Sequence, residues 1–400
     1  MNIVLYVNSF LPVLGGKEFV VHHLANALVR LGHRARVVGP AGFWKHRKQR
    51  LAYPVHRWPS LHGRLKEHVA VTQLMLDTAL WGCDIVHAHT TYPNGYAAVG
   101  LKRARNLPLV ITPHGADIQS IPEIGHGRRL DPVLNRKIMH AVQRAELVTA
   151  ISRNVEVGLL DAGADQARIR PIPNGVDLER FMRPESSRLR IRNWLGVEPD
   201  ARLIVTIGRY SSRKGQDYIV RAMPAILRAE PMTRLVIVGN GTDELKPLIA
   251  EMGLEGKVVL TGGITPTPEI LVRTGPPREE DEDPLADLLC SSELYVSAGI
   301  QNNAEGLSLA VLESMAAGLP IVATAISGNT DVVTHGVNGF LVEPASESGL
   351  ADAIVEVLRQ PGVQGGMREK SRETAAKYAW VNIARQYLDV YQEAIALARK

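Results

Sequence analysis

A doubly wound α/β protein built in two successive halves is the fold class the sequence predicts, and three observations predict it. Short runs rich in Val, Ile and Leu alternate with helix-length stretches along 400 residues; the rhythm breaks once, near residues 175–190, and then restarts; and glycine-rich or charged clusters stand directly after several of the apolar runs. With 45% hydrophobic and 22% charged residues the chain has the profile of a globular protein, and its length sets about two domains.

In the first half, apolar runs at 2–7, 84–88, 109–112 and 147–150 read as strands, and the stretches 17–31 and 95–105 as helices between them. The run at 2–7 lacks a basic segment before it and a small-residue cleavage site after it, so a strand is expected there and not a signal peptide. No apolar stretch approaches the roughly 20 residues of a membrane-spanning helix. A cytoplasmic protein is expected. Pro171, Pro173, Asn174, Gly175 and Asp177 then crowd the break, and strands are expected again at 203–207, 234–238, 257–260, 293–296 and 321–323. The halves are taken as 1–180 and 181–380. Two such sheets facing each other would hold a ligand in the cleft outside the carboxyl ends of their strands.

Residues 265–283 break the pattern with four prolines and an acidic end, and they read as a mobile surface loop. Asp281-Glu282-Asp283 has the form of a metal-binding DxD, but it follows no buried strand, and no metal is expected. Cys83 and Cys290, far apart in apolar segments, read as buried free thiols. Charge is uneven. Residues 1–180 carry 23 Lys and Arg against 13 Asp and Glu, or +10, which leaves −5 for the rest of a chain of net charge +5. The basic cluster of Lys45, Arg47, Lys48, Arg50, Arg57, Arg64 and Lys66, interleaved with Trp44 and Trp58, fits an anionic membrane surface at least as well as nucleic acid.

The strongest chemical signal is Glu305-Gly-Leu-Ser-Leu-Ala-Val-Leu-Glu313, leading to Gly318 and Pro320. Leu309, Leu312 and Met315 recur at helical spacing, which predicts a helix over about 307–317 ended by Gly318 and Pro320. Eight residues of helix rise about 12 Å, so the two carboxylates can meet the two ends of one extended ligand. Backbone amides at Gly306, Leu307 and Ser308 would open the helix toward an anion. Taken alone, the pair would be a first-turn acid and a solvated helix residue.

Three weaker signals stand at expected strand ends. Arg209 and Lys214, in Gly208-Arg-Tyr-Ser-Ser-Arg-Lys-Gly215, are cations able to neutralise a leaving diphosphate, with Arg213 between them expected at the surface. Gly15-Gly16 precedes the first helix, where glycine lets backbone approach a ligand. His114, in His114-Gly115-Ala-Asp117, is placed to hydrogen-bond a sugar hydroxyl or leaving group; His87 and His89 share a strand end but compete less well.

Together these stations resemble the retaining glycosyltransferases of the GT-B fold, family GT4 (glycosyltransferase group 1). The match runs through Gly15-Gly16, His114-Gly115, Pro173-Asn174-Gly175-Val176-Asp177, Gly208-Arg209, Lys214-Gly215, Val238-Gly239-Asn240-Gly241, the Glu305 to Glu313 block and Asn338-Gly339, in order along nearly the whole chain. The resemblance implies two Rossmann-like doubly wound domains with the active site in the cleft between them, and a last segment, 381–400, that crosses back onto the first. It implies that Glu305 contacts the donor hexose, Glu313 the ribose hydroxyls, Arg209 and Lys214 the diphosphate, and His114 the donor sugar. Gly15 and Gly16 would approach the phosphate, and Gly239, Gly241, Gly306, Leu307 and Ser308 complete the donor site. Departures at 298–304, at Ser327-Gly328-Asn329 with Asp331, and in the 265–283 loop bear on donor identity.

The implied reaction moves a hexose from a UDP- or GDP-sugar to a hydroxyl of a glycan or lipid-linked acceptor, without a metal or other cofactor. The basic first half would dock at the inner face of the membrane, and no nucleic-acid partner is expected. The alternatives are a small soluble acceptor, such as a sugar phosphate or organic acid, and, in another class, a non-catalytic nucleotide-sugar or nucleic-acid binder.

Overall fold

The first apolar run forms β1 (Asn2–Tyr6), flanked on one side by β2 (Arg34–Pro40) and β3 (Val55–Trp58) and on the other by β4 (Ile85–His89), β5 (Leu109–Thr112), β6 (Leu147–Ala150) and β7 (Ile169–Pro171). Every pairing is parallel. Strands β4, β5 and β6 are buried at every residue, which is why they read as continuous apolar runs without alternation. This description comes from a computed structural model that covers residues 1–11, 13, 15–40, 51–58, 66–264, 281–300, 306–326 and 328–399.

A second parallel sheet has the order β10 (Val258–Gly262), β9 (Thr233–Val238), β8 (Arg202–Ile207), β11 (Leu294–Ser297), β12 (Ile321–Thr324) and β13 (Gly339–Val342). In each sheet the order reverses once, between β1 and β4 and between β8 and β11. Those reversals open crevices at the carboxyl ends of the strands, where sheets of this kind bind ligands.

Strands β2, β3 and β13 were not anticipated. β2 opens on Arg34-Ala35-Arg36, whose charges obscure its apolar centre, and β13 opens on Gly339, a poor strand former. That glycine is required, since a Cβ there would lie 1.9 Å from the Ile321 carbonyl oxygen. β7 likewise forms inside the segment where the rhythm weakens.

The chain divides into two units, Met1–Gly175 with Trp380–Lys400, and Val176–Ala379. Val176 and Phe181 are buried in the second core, so the second unit begins at Val176. The helix Trp380–Ala398 returns to the first unit and packs on the helix Gly16–Arg30. There the rings of His23 and Trp380 stack at 5.7 Å, and Tyr391 OH reaches His87 Nδ1 at 2.7 Å. Gly175 makes the return possible: a Cβ on it would meet the Trp380 ring at 2.6 Å.

Cys83 and Cys290 are half-buried free thiols. Burial pushes their pKa values up, to about 12 and about 11, so both stay protonated.

Candidate active site

In the second unit the loop after β8 turns through a short 3-10 segment, Ser212–Lys214, and ends at Gly215. Gly215 has φ +62°, and a Cβ would lie 2.0 Å from the Ala298 carbonyl oxygen, so only glycine lets this loop close on the end of β11. Gln216 Nε2 donates to the Gly208 carbonyl at 2.8 Å and pins the loop's other end. Lys214 is thereby carried into a narrow recess at the β8/β11 reversal, together with Thr206, Gln216, Gly306, Ser308 and Asn329.

Arg209 is exposed and Arg213 half-buried, which reverses the expectation that Arg213 would be the surface cation. The Arg213 carbonyl accepts from the Ile300 amide at 3.0 Å, and that bond draws the residue inward. Gly239 backs onto Gly208, where a Cβ would sit 2.0 Å from the carbonyl oxygen, and Gly241 lies beside Tyr210. Both glycines let the loops after β8 and β9 pack together.

The helix of the two-glutamate block spans Leu309–Ala316, two residues later at its start than expected, with Ser308 at the N-cap. Gly306 and Leu307 therefore precede the helix and do not form its first turn. Ser308 has extended backbone and its hydroxyl makes no capping bond, so it leaves the amides of the first turn uncapped by its own side chain where they meet the recess. Glu305 lies outside the described residues, as do Ser327, most of the 265–283 loop and most of the basic cluster at 44–66.

Glu313 faces a cation that sequence reasoning missed. Its Oε1 accepts from Arg180 Nη1 at 3.0 Å, while Arg180 Nε and Nη2 donate to Asp283 at 2.7 and 3.2 Å. Asp283 Oδ1 also accepts from the Ala286 amide at 3.1 Å and caps the helix Pro284–Cys290. The acidic end of the proline-rich segment is thus tied down: Asp283 is 1% exposed, and its oxygens are engaged by a guanidinium and an amide. This corrects the expectation of a mobile surface loop at that end.

Burial raises the Glu313 carboxyl pKa, opposed by Arg180. Burial would also raise Asp283 and lower Arg180, but their attraction outweighs it, so Asp283 titrates low and Arg180 stays charged. Neither partner was legible by spacing, because Arg180 stands 103 residues from Asp283 and 133 from Glu313. The one available signal was a lone arginine beside Phe181, just after the Asn174-Gly175 turn.

In the first unit Gly15 is the N-cap of the helix Gly16–Arg30, and a Cβ there would meet Glu18 Oε2 at 2.6 Å. The glycine pair therefore admits the Glu18 carboxylate, which accepts from Ser9 Oγ. Lys17 Nζ donates to Asn8 Oδ1 at 2.5 Å and Ser9 Oγ at 2.7 Å, and burial lowers its pKa.

His114 follows β5 on a loop that Asp117 secures. Asp117 accepts from the amides of His114 and Thr91, each at 2.8 Å, and so joins the ends of β4 and β5. Between them, Thr90 is buried with φ +102°, a strained conformation for a β-branched residue. His114 Nε2 lies 3.2 Å from His89 Nδ1. Burial, with Lys17 nearby, pushes the His114 pKa down to about 3, so its ring is neutral near pH 7. His87 turns away, to Tyr391 and to Thr112 Oγ1 at 2.6 Å. Each unit thus brings together part of the expected set: Lys214, Gly306 and Ser308 share one recess with Glu313 further along the same helix, and His114 shares a cluster with Lys17.

Among the described residues no helix is long and apolar enough to cross a membrane. Two family models match the chain in tandem, "Glycosyltransferase Family 4" over residues 14–180 and "Glycosyl transferases group 1" over 187–379. A D-inositol 3-phosphate glycosyltransferase of a Nocardioides species is 30% identical over 332 residues, covering 79% of this chain and 69% of its own. A GDP-mannose-dependent alpha-(1-6)-phosphatidylinositol monomannoside mannosyltransferase of Mycolicibacterium smegmatis is 27% identical and covers 93% of each chain. The structure of HepE from Anabaena in complex with UDP matches with TM-score 0.78 at 23% identity, covering 97% of this chain and 99% of that one, and it shows the likeness of fold. The order of the two parallel sheets, the tandem family matches and the Nocardioides relative lead to one conclusion: the chain belongs to the group 1 glycosyltransferases of the GT-B fold and is an enzyme of glycosyl transfer.

Proposed function

We propose that the enzyme moves a hexose, with retention at the anomeric carbon and without a metal, from a UDP- or GDP-sugar to a hydroxyl of a glycan or lipid-linked acceptor. The recess at the β8/β11 reversal is the observation that carries this reading. It joins the Lys214 cation to a helix start that the Ser308 side chain leaves uncapped, as a departing diphosphate requires. Arg209, exposed on the same loop, supplies further positive charge. Glu313 accepts from the ribose hydroxyls, and Glu305 meets the hexose.

The bond between the anomeric carbon and the diphosphate oxygen breaks with its electron pair passing to the diphosphate, where Lys214 and the helix amides stabilise the charge. The acceptor oxygen then bonds to the same face of the short-lived oxocarbenium-like centre, and its proton leaves to a diphosphate oxygen. His114, neutral near pH 7, serves as a hydrogen-bonding group and not as a cation. The name of the M. smegmatis relative supports a GDP-sugar and a lipid acceptor, and the UDP complex of HepE supports a uridine donor.

A thermal-shift panel of UDP- and GDP-sugars tests the donor. Stabilisation by none of them rejects the reading. Turnover that collapses in EDTA and returns with manganese rejects metal independence. Docking to the membrane is proposed from the +10 charge of residues 1–180, and retention on anionic liposomes at low salt tests it. A second reading, transfer to a small polar acceptor, is supported by the Nocardioides relative, named for D-inositol 3-phosphate.

A further inference from the structure

The first unit holds a cavity of about 360 Å³, within the range of roughly 300–1,000 Å³ usual for small-ligand sites. It sits at the β1/β4 reversal, on the carboxyl ends of β1, β2 and β4. Its roof is one face of the helix Lys66–Trp81, where Val69, Ala70, Gln73 and Leu74 recur at helical spacing. The helix Tyr96–Arg105 adds Ala97, β2 and β3 add Val38 and Trp58, and the turn after β4 adds Tyr92. Tyr6, Gln73 and Asn94 are also in the lining, but most of these walls are apolar and suit hydrocarbon.

One side of the cavity is polar. Asn8 lines it and accepts from Lys17 Nζ, and Arg128 lines it while donating from Nη1 to the Tyr92 carbonyl at 3.1 Å. Arg128 also acts electrostatically on Lys17 and Asp117, so this edge borders the cluster that holds His114. A largely apolar chamber with one polar edge beside a polar cluster matches an amphiphile.

We propose that this cavity receives the hydrocarbon segment of a lipid-linked acceptor, with the hydroxyl-bearing headgroup directed to the cluster around Lys17 and His114. The proposal rests on the glycosyl-transfer reading above and separates its two acceptor classes, since a small polar acceptor leaves such a chamber unfilled.

The test measures binding of n-alkyl β-D-glucosides, methyl to octyl, to the full chain by calorimetry below their micelle-forming concentrations. The headgroup is neutral, so any trend reports the alkyl segment. Affinity is expected to rise about fourfold per methylene until the cavity is filled. Ala70→Trp and the milder Val69→Phe, each checked by its melting curve, should flatten the series by occupying the space. Should neither variant fold, a photoreactive octyl glucoside on the wild-type chain still decides. Labelling of residues 69–74 or 92–97 supports the proposal, and labelling only elsewhere overturns it. A flat wild-type series, or a rise that both folded variants keep, also overturns it. UDP and GDP are titrated in parallel. Loss of both signals rejects the glycosyl-transfer reading, whereas nucleotide binding beside a flat series rejects the cavity assignment alone.

Discussion

Arg180 reaches Glu313 Oε1 at 3.0 Å with one nitrogen while its other two hold the carboxylate of Asp283. The arginine therefore sets where the Glu313 carboxylate stands and opposes the rise in its pKa that burial causes. The Glu313 side chain is 21% exposed, enough for its free oxygen to meet a ligand.

Arg180→Met should leave Asp283 as an uncompensated buried charge and cost about 3–5 kcal/mol of stability, read as a fall in Tm. Arg180→Lys keeps the charge and loses the two-pronged hold on Asp283. Its donor KM should rise more than its kcat falls, and its preference for a ribose over a 2′-deoxyribose donor should shrink. An unchanged preference would rule out a role for Arg180 in holding Glu313 to the nucleotide.

Removing the Lys214 cation should strike the chemical step. Lys214→Ala is expected to lower kcat by about 10²–10³-fold, the usual cost of losing one charge-stabilising group, and Lys214→Arg should recover part of it. Donor hydrolysis without acceptor, followed by nucleotide release, measures this directly.

Two glycines are irreplaceable for steric reasons. Gly215→Ala and Gly239→Ala place a Cβ 2.0 Å from a carbonyl oxygen at positive φ, +62° and +152°. Each should cost more than about 2 kcal/mol, since backbone strain alone is worth roughly 1–2 kcal/mol and the loops must also part. Gly253→Ala serves as the control: it also has positive φ but meets nothing within 4 Å, so it should carry the strain term alone in denaturant melts.

Acid should unfold the first unit early. Burial pushes His87 and His114 down to about 3 and His89 well below the ordinary value of 6.5. The unfolded chain takes up these protons near pH 6.5 and the folded protein does not. Stability is therefore complete above that pH and is lost as pH falls toward 3, by up to about 1.4 kcal/mol per pH unit for each histidine. His114→Asn should lose about 1 kcal/mol less than wild type between pH 7.5 and 5.5. Equal slopes in urea titrations would show that His114 is not held neutral by the fold.

Much of this architecture was legible because strands of a parallel sheet are buried on both faces. Runs such as Ile85–His89 and Ile321–Thr324 stand out as apolar without reference to partners. Loop positions were legible for a related reason, since a strand's carboxyl end places whatever follows it at the crevice, as for Lys214 and His114. Packing roles of the glycines were not legible: Gly239 lies against Gly208, and Gly15 leaves room for Glu18.

By itself the sequence determined two doubly wound halves, the family, and the loops after the strands that carry Lys214 and His114, because these depend on local pattern and order. Only the tertiary structure decided that Arg180, held by Asp283, meets Glu313, that His114 is kept neutral beside His89, that Arg213 is drawn inward while Arg209 is exposed, and that the first unit holds a largely apolar cavity with one polar edge. The physical reason is the same in each case. Ion pairing, desolvation and cavity shape depend on groups brought together from distant parts of the chain, and no local pattern records which group will be the neighbour.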